Sequence, residues 1–214
     1  MRRDHVIQNN GSVPPVVPFA EDLVFYAPLT EGDLTDHISG VTGVERTGGT
    51  LTYDSNAEMY HIYSEGDSSS YKGGLYFGDW QAFDASNGIT MYIYAQEVPS
   101  EISGNSYSAI ISIPLITANT DPVYICNYRY TNKTYYQQFI QTASKLVVVW
   151  NTDGSVSYYR DGTFVRTDTG WTGRSPFTCI TIGQLHNRNT KYGLLFKDAR
   201  VYNRALTAQE VAQL

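Results

Sequence analysis

The sequence is short of charged residues, of cysteine and of long apolar runs. Charged residues make up 17% of its 214 residues, compared with about a quarter in an average soluble domain. No apolar run reaches the length of a transmembrane helix, so we expect no insertion into a membrane. Acidic residues outnumber basic ones by 21 to 15. The resulting net charge of −6 would repel a phosphate backbone, and we expect no nucleic-acid partner.

The two cysteines, Cys126 and Cys179, stand far apart and form no metal-binding motif. We interpret them as small buried apolar residues, with a single disulfide as the alternative. The N-terminus carries Arg2 and Arg3 without an apolar stretch behind them, which is unlike a secretory signal peptide. The sequence therefore predicts a cytoplasmic protein, or one associated with a particle or virion, rather than one secreted through the Sec pathway.

Aromatic residues are in excess, because 18 Tyr, 8 Phe and 3 Trp make up 14% of the chain. Tyrosine favours strands, and the 18 glycines favour tight turns between them. Residues 89–95 alternate along their whole length, which predicts a strand with Ile89, Met91, Ile93 and Ala95 on one face. About a dozen short segments of this kind follow one another along the chain.

Two Asp-Gly pairs within residues 145–167 predict tight hairpin turns and hence a three-stranded meander. At the C-terminus, Thr207 and Glu210 have the spacing of a capping box, which predicts a short helix. Two further strands are predicted before it, at 193–196 and at 197–202. We therefore predict an all-β fold, a two-sheet antiparallel β-sandwich (jelly roll) with a short C-terminal helix.

The chain divides into residues 1–20 and residues 21–214. Three prolines between Val13 and Pro18 favour extended backbone, so residues 1–20 are interpreted as a proline-rich N-terminal arm. This segment is either a semi-rigid spacer or an arm that docks on a neighbouring subunit, in a homo-oligomer or in a particle. Residues 21–214 are predicted to form a single jelly-roll domain.

The run from Phe196 to Val211, FKDARVYNRALTAQEV, resembles the closing motif of laminin-G-like domains. These domains belong to the concanavalin A-like lectin/glucanase superfamily, and their motif reads close to D-x-R-[IV]-Y-N-R-A-L-[ST]-x-x-E-[IV]. Residues 23–29 with the loop 33–40 are similar to the family's opening strand and its D-x-S-G loop. Residues 159–162 are similar to the family's Y-x-D-G turn.

The resemblance covers residues 22–214 and implies two antiparallel sheets packed as a jelly roll. Members of the superfamily include carbohydrate-binding modules, adhesion domains, glycoside hydrolases and lyases, so the fold alone does not choose a function. The arginine-containing N-terminal tail also resembles that of laminin-G-like proteins encoded near phage tail genes.

The acidic residues do not form the pattern of a glucanase. A retaining enzyme needs two carboxylates about 5–5.5 Å apart, and the family's E-x-D-x-x-E run, which would supply them, does not occur here. The pairs Glu31/Asp33 and Glu65/Asp67 each flank a glycine and are interpreted as solvated loop acids. We expect a protein that is not an enzyme, with a glycoside hydrolase as the least favoured alternative.

Binding sites for sugars combine flat aromatic rings with amide, carboxylate and guanidinium groups. Residues 124–136 and 171–188 contain this mixture. The candidate ligand-binding residues are Trp171, Tyr128, Arg129, Tyr130, Asn132, Tyr136, Arg174, His186 and Asn187. We predict a non-catalytic carbohydrate-binding module that binds a glycan through these residues. The alternative is a structural or assembly protein, of the kind associated with phage tails, whose aromatic faces contact other subunits.

The family resemblance also implies a calcium site. Family members often hold Ca²⁺ between the early aspartate-containing loop and the aspartate of the closing motif, and these positions are occupied here by Asp36 and Asp198. Calcium takes about six to eight oxygen ligands, so backbone carbonyls would have to supply the others. The alternative role of Asp198 is a salt bridge or a hydrogen bond within a turn. No other cofactor is expected.

Overall fold

The structure, a computed structural model, describes residues 17–65, 73–78, 86–102, 108–113, 123–127, 142–169, 179–185 and 191–214. In chain order its strands are β1 (Leu23–Ala27), β2 (Val44–Glu45), β3 (Gly49–Asp54), β4 (Met59–Glu65), β5 (Leu75–Phe77), β6 (Ile89–Glu97), β7 (Ser108–Ile113), β8 (Val123–Asn127), β9 (Ser144–Trp150), β10 (Val156–Arg160), β11 (Thr163–Asp168), β12 (Ile180–Leu185) and β13 (Lys191–Tyr202). Short 3-10 turns lie at Ala20–Asp22 and Pro99–Glu101, and helix α1 is Ala208–Val211. Among these described residues, no helix is long and apolar enough to cross a membrane.

The strands form two antiparallel sheets. The larger sheet has eight strands in the order β11-β10-β9-β6-β13-β4-β3, with β1 also paired to β13. The smaller sheet has five strands in the order β2-β5-β12-β7-β8. This confirms the predicted all-β sandwich with one short helix at the C-terminal end. One of the dozen segments whose pattern predicts a strand, residues 135–141, lies outside the described residues.

The predicted meander is confirmed as β9, β10 and β11, which pair in that order. The turn between β10 and β11 contains Asp161 at φ 50° and Gly162 at φ 75°. Both values are positive, as a two-residue hairpin turn requires, because this backbone twist matches the twist of the flanking strands.

The main core lies between the two sheets and consists of alternate residues of the strands. The shared face predicted for Ile89, Met91, Ile93 and Ala95 of β6 is confirmed, and it points into this core, where all four are buried. Phe25 of β1 meets Phe77 of the smaller sheet edge to face, with ring centroids 5.0 Å apart. Burial of each large apolar side chain of this kind contributes about 1.5–3 kcal/mol.

The opposite face of the larger sheet carries a second apolar cluster, which we call the outer core: Tyr92, Val147, Val149, Tyr159, Tyr202, Leu206, Val211 and Leu214. The C-terminal segment with α1 covers it. The predicted capping box is confirmed, because the Thr207 side chain accepts a hydrogen bond from the Glu210 amide while the Glu210 carboxylate accepts one from the Thr207 amide. Phe19 packs at the edge of the same cluster.

The two strands predicted at 193–196 and 197–202 are one continuous strand, β13. Its register with β6 shifts between Lys197 and Ala199, which is a β-bulge at Asp198. At this point β13 also changes its other neighbour, from β4 to β1. Cys179 lies directly before β12 and is half-buried.

Candidate functional site

The predicted ligand-binding residues lie outside the described residues: Trp171, Tyr128, Arg129, Tyr130, Asn132, Tyr136, Arg174, His186 and Asn187. Their role therefore stays a prediction. The two predicted calcium ligands, Asp36 and Asp198, are both described.

Asp36 is fully buried and organises the loop that follows β1. Its Oδ1 atom accepts hydrogen bonds from the backbone amides of Tyr26, at 2.9 Å, and Ile38, at 3.1 Å. Its Oδ2 atom accepts hydrogen bonds from the amide and the hydroxyl of Ser39. The buried carboxylate is thus satisfied by four donors, and it fixes the loop against the strand.

Asp198 occupies the bulge of β13 at φ 50°, and its amide donates to the carbonyl of Pro28 at 3.0 Å. Its carboxylate forms a two-point ion pair with Arg200, in which Nε lies 2.6 Å from Oδ1 and Nη2 contacts Oδ2. This is the salt bridge that the sequence analysis named as the alternative to a calcium ligand.

The two aspartates lie on either side of β1, since Tyr26 donates to Asp36 and pairs in register with Arg200, the partner of Asp198. Among the described residues, no three or more histidine, cysteine or acidic side chains are grouped closely enough to hold a metal ion. The calcium site remains a prediction from the family resemblance.

A second candidate site lies on the outer face of the larger sheet, beyond the part that α1 covers. We call it the outer-face patch and define it by Tyr94, Gln96, His61, Glu101 and Lys197. In register, His61 on β4 pairs with Leu195 on β13, which pairs with Gln96 on β6, and Lys197 pairs with Tyr94. Their neighbours along each strand are buried in the main core, so these side chains point to the opposite face.

One end of the outer-face patch is an imidazole–carboxylate pair. The Nε2 atom of His61 lies 2.7 Å from Oε2 of Glu101, and both side chains are partly exposed, by 23% and 30%. Glu101 reaches across the sheet because residue 193 is glycine, and a Cβ atom there would lie 2.0 Å from the Glu101 Oε2 atom. The carboxylate is held in place by the 3-10 turn at Pro99–Glu101, whose preceding residue Val98 donates to the Gly193 carbonyl at 3.0 Å.

The other end of the outer-face patch is a tyrosine between two lysines. The Lys197 Nζ atom lies 5.6 Å from the centroid of the half-exposed Tyr94 ring. Lys145 of β9 pairs with Tyr94 on its other side, and its Nζ atom donates to the main-chain oxygen of Leu214 at 2.8 Å. An aromatic ring, an amide and several charged groups are thus presented on one continuous surface.

The alternation of residues 89–95 puts Tyr94 on the face opposite Ile93, but the sequence analysis missed His61, Glu101, Gln96 and Lys197 as candidates. The alternation of β4, in which residues 60, 62 and 64 are buried, could have identified His61. The contact between His61 and Glu101 joins residues distant in sequence, and no local pattern predicts it.

Comparisons with known proteins agree with this fold. The family model of a laminin-G-like domain, described as the concanavalin A-like lectin/glucanases superfamily, matches residues 54–212. No curated protein sequence matches the chain. Among solved structures, the binding domain of botulinum neurotoxin DC in complex with SialylT is similar, with a TM-score of 0.63 at 14% identity over 90% of this chain and 50% of that one.

Two further similar structures are also of botulinum neurotoxins. For botulinum neurotoxin type C, whose cell entry depends on interaction with two ganglioside molecules, the TM-score is 0.62 at 12% identity over 90% of this chain and 50% of that one. For the botulinum neurotoxin type G receptor binding domain, the TM-score is 0.58 at 14% identity, over 90% of this chain and 50% of that one. At such identities the likeness is one of fold, and the chain spans about half the length of these structures. Since the family model covers most of the chain, the protein belongs to the laminin-G-like domains of the concanavalin A-like lectin/glucanases superfamily.

Proposed function

We propose that the chain is a non-catalytic carbohydrate-binding module and that the outer-face patch contacts the glycan. Membership of a superfamily of lectins and glucanases supports the choice of ligand class. The observation that carries the proposal is the half-exposed Tyr94 ring, placed beside the amide of Gln96 and the ammonium of Lys197. The similar toxin structures, one with SialylT and one that interacts with gangliosides, support a glycan as the ligand class.

The chemistry of the outer-face patch suits a sugar because a pyranose has an apolar face bordered by hydroxyl groups. The apolar face packs on an aromatic ring, and the hydroxyls exchange hydrogen bonds with amide, imidazole and carboxylate groups. His61 and Glu101 hold each other in place, so little side-chain freedom is lost when a ligand binds. The predicted site around Trp171 stays part of the proposal as a second contact region.

Replacing the ring of Tyr94 tests this function. In the Tyr94→Ala variant we expect the affinity for bound glycans to fall by about tenfold or more, because an aromatic anchor is lost. The matched control is Tyr76→Ala, which removes a half-exposed tyrosine of the smaller sheet that also lies under a cation, Arg46 at 5.5 Å. The measurement is a glycan array followed by isothermal titration with the strongest ligand.

Unchanged affinity in Tyr94→Ala would remove the outer-face patch from the proposal, provided that both variants keep the melting temperature of the original chain. A loss of binding in Tyr76→Ala alone would move the site to the smaller sheet.

The second candidate function is assembly with other subunits. Three large apolar side chains are exposed in the described residues: Val44 by 62%, Phe164 by 54% and Val165 by 49%. Phe164 and Val165 lie on β11, the edge strand of the larger sheet, where unpaired backbone groups favour pairing with another chain. A defined oligomer in light scattering, together with a glycan array that gives no binding, would favour assembly over glycan recognition.

A further inference from the structure

We propose that the outer-face patch selects glycans that carry a carboxylate, and that the Lys197 ammonium binds this carboxylate. The inference rests on the proposed function, because it names the class of glycan that the same surface takes.

The acidic groups at the outer-face patch already have cationic or hydrogen-bonding partners. The Glu101 carboxylate lies 2.7 Å from the His61 ring, and the Asp198 carboxylate is bound at two points by Arg200. In the part of the chain that the structure describes, Lys197 contacts the Tyr94 ring and forms no ion pair. The patch therefore has one basic group that lacks a counter-charge.

The negative charge of Glu101 and the positive charge of Lys197 are also far apart along β13. Glu101 lies over Gly193, four residues before Lys197, which corresponds to about 13 Å along a strand. This distance exceeds the screening length of about 8 Å at physiological ionic strength, so Glu101 has little influence on an anion at Lys197. At the basic end, Lys145 lies on the other side of Tyr94, but its ammonium already donates to the main-chain oxygen of Leu214, so Lys197 is the lysine that binds the anion.

The geometry of the basic end fits a sugar acid better than a simple anion. The Lys197 ammonium lies over the Tyr94 ring, 5.6 Å from its centroid, so a sugar that takes its place on the ring has its carboxylate within reach of the displaced ammonium. A charge-assisted hydrogen bond of this kind is roughly twice as strong as a neutral one. The net charge of the chain is −6, so the attraction is local to this end of the patch and does not extend over the molecule.

The test is an array in which every glycan with a carboxylate is printed beside a neutral counterpart. One set of pairs carries a uronic acid and its methyl ester, and the other carries 3′-sialyllactose and lactose, so the two sources of the carboxylate are distinguished. We expect the original chain to bind the acidic member about tenfold more tightly in at least one set, and expect this preference to fall as salt is raised.

The preference should disappear in Lys197→Gln, while the affinity for the neutral member stays within about twofold. Lys197→Arg keeps the charge and should keep the preference. The matched control is Arg46→Gln, which removes the half-buried cation above Tyr76 on the other sheet and should leave the preference unchanged.

The outcomes separate this inference from the proposed function. If the original chain binds the acidic glycan and its neutral counterpart equally well, the carboxylate preference is overturned and the glycan-binding function stands. A preference that survives in Lys197→Gln would overturn the role of Lys197. If no glycan of the array binds, neutral or acidic, the proposed function is wrong and this inference is wrong with it.

Discussion

Arg200 is the one buried basic residue among those described. Its side chain is only 8% exposed and lies between two tyrosine rings, with the guanidinium carbon 4.7 Å from the centroid of Tyr92 and 5.7 Å from that of Tyr26. Asp198 neutralises it with a two-point ion pair. Burial, together with the negative charge of Asp198, raises the pKa of Tyr92, so this phenol stays neutral beside the pair. The aspartate of the family's closing motif thus has a structural role in this chain.

Removing the charge of Asp198 should destabilise the protein. Asp198→Asn leaves the buried Arg200 without its counter-charge, and we expect the free energy of unfolding to fall by about 3 kcal/mol. The matched control is Asp168→Asn, which breaks an ion pair of the same spacing with Arg166, at 2.7 Å, on the edge strand β11. That pair is more exposed, and its loss should cost less than about 1 kcal/mol. Urea denaturation of both variants measures the difference.

The same measurement, repeated in CaCl₂ and in EDTA, separates the ion pair from the predicted calcium site. If the ion pair alone is responsible, Asp198→Asn loses the same stability in both solutions. A calcium site at Asp36 and Asp198 would add a higher melting temperature in CaCl₂ for the original chain, and equal melting temperatures would contradict it. A smaller loss in Asp198→Asn than in Asp168→Asn would contradict the role given to Arg200.

At the scale of elements, the N-terminal 3-10 turn and the C-terminal helix are joined by Arg204. Its Nε atom lies 2.6 Å from Oδ2 of Asp22, and its two terminal nitrogens each lie 2.9 Å from the Glu210 carboxylate. Its guanidinium carbon lies 5.5 Å from the centroid of the Phe19 ring. Helix α1 has only four residues, so it depends on these contacts and on its cap rather than on its own helical hydrogen bonds.

The contact between Arg204 and Glu210 should make the C-terminal segment sensitive to acid. Hydrogen bonds from Arg204 and from the Thr207 amide lower the pKa of Glu210 from 4.5 to about 2. Because this pKa is depressed in the folded state, the stabilisation is fully present above about pH 4.5 and is lost as the pH falls towards 2. We expect Glu210→Gln to lower the melting temperature at pH 7 but to differ little from the original chain near pH 2.

The control for this prediction is Glu21→Gln, which removes an exposed carboxylate from the N-terminal 3-10 turn and should have little effect at either pH. A Glu210→Gln variant that is equally destabilised at both pH values would contradict the assigned titration.

Sequence patterns predicted the elements best where the signal was local. The Asp-Gly turn at 161–162 and the capping box of Thr207 and Glu210 each depend on a few adjacent residues, and both are present. Strand β13 was predicted as two pieces, because nothing local reveals that one strand continues through the bulge at Asp198. The bulge becomes evident only when the register of β13 against β6 is known.

The candidate site was predicted less well, for a related physical reason. Tyr94 was placed on the correct face by the alternation of β6, but its two lysine neighbours come from β9 and β13. The His61–Glu101 pair depends on the close approach that Gly193 allows, and a sequence gives no distance between strands. The composition shows the excess of aromatic residues, but only the register of the sheet shows which of them lie beside charged groups.

At the scale of the whole molecule, the larger sheet is covered on both faces over part of its area. The main core lies between the sheets, and the outer core lies under the C-terminal segment. Tyr92 and Tyr94 are two residues apart on the same face, yet Tyr92 is 2% exposed under this cover while Tyr94 is half-exposed beyond it. The C-terminal segment therefore sets the boundary of the outer-face patch.

An acidic group beneath this cover should therefore open the outer core while leaving the outer-face patch in place. Val211 is 1% exposed in the outer core, so Val211→Asp buries a carboxylate among apolar side chains, and we expect the free energy of unfolding to fall by about 3 kcal/mol or more. Gln209→Asp introduces the same group at an exposed position of α1 and should cost little stability.

Urea denaturation followed by circular dichroism measures the stability of both variants, and binding of a hydrophobic dye in the absence of denaturant detects an exposed outer core. Glycan affinity well below the melting temperature should be unchanged in both variants, because Tyr94 and Lys197 lie outside the covered area. Equal urea midpoints for Val211→Asp and Gln209→Asp would contradict the assignment of α1 as the cover of a second core.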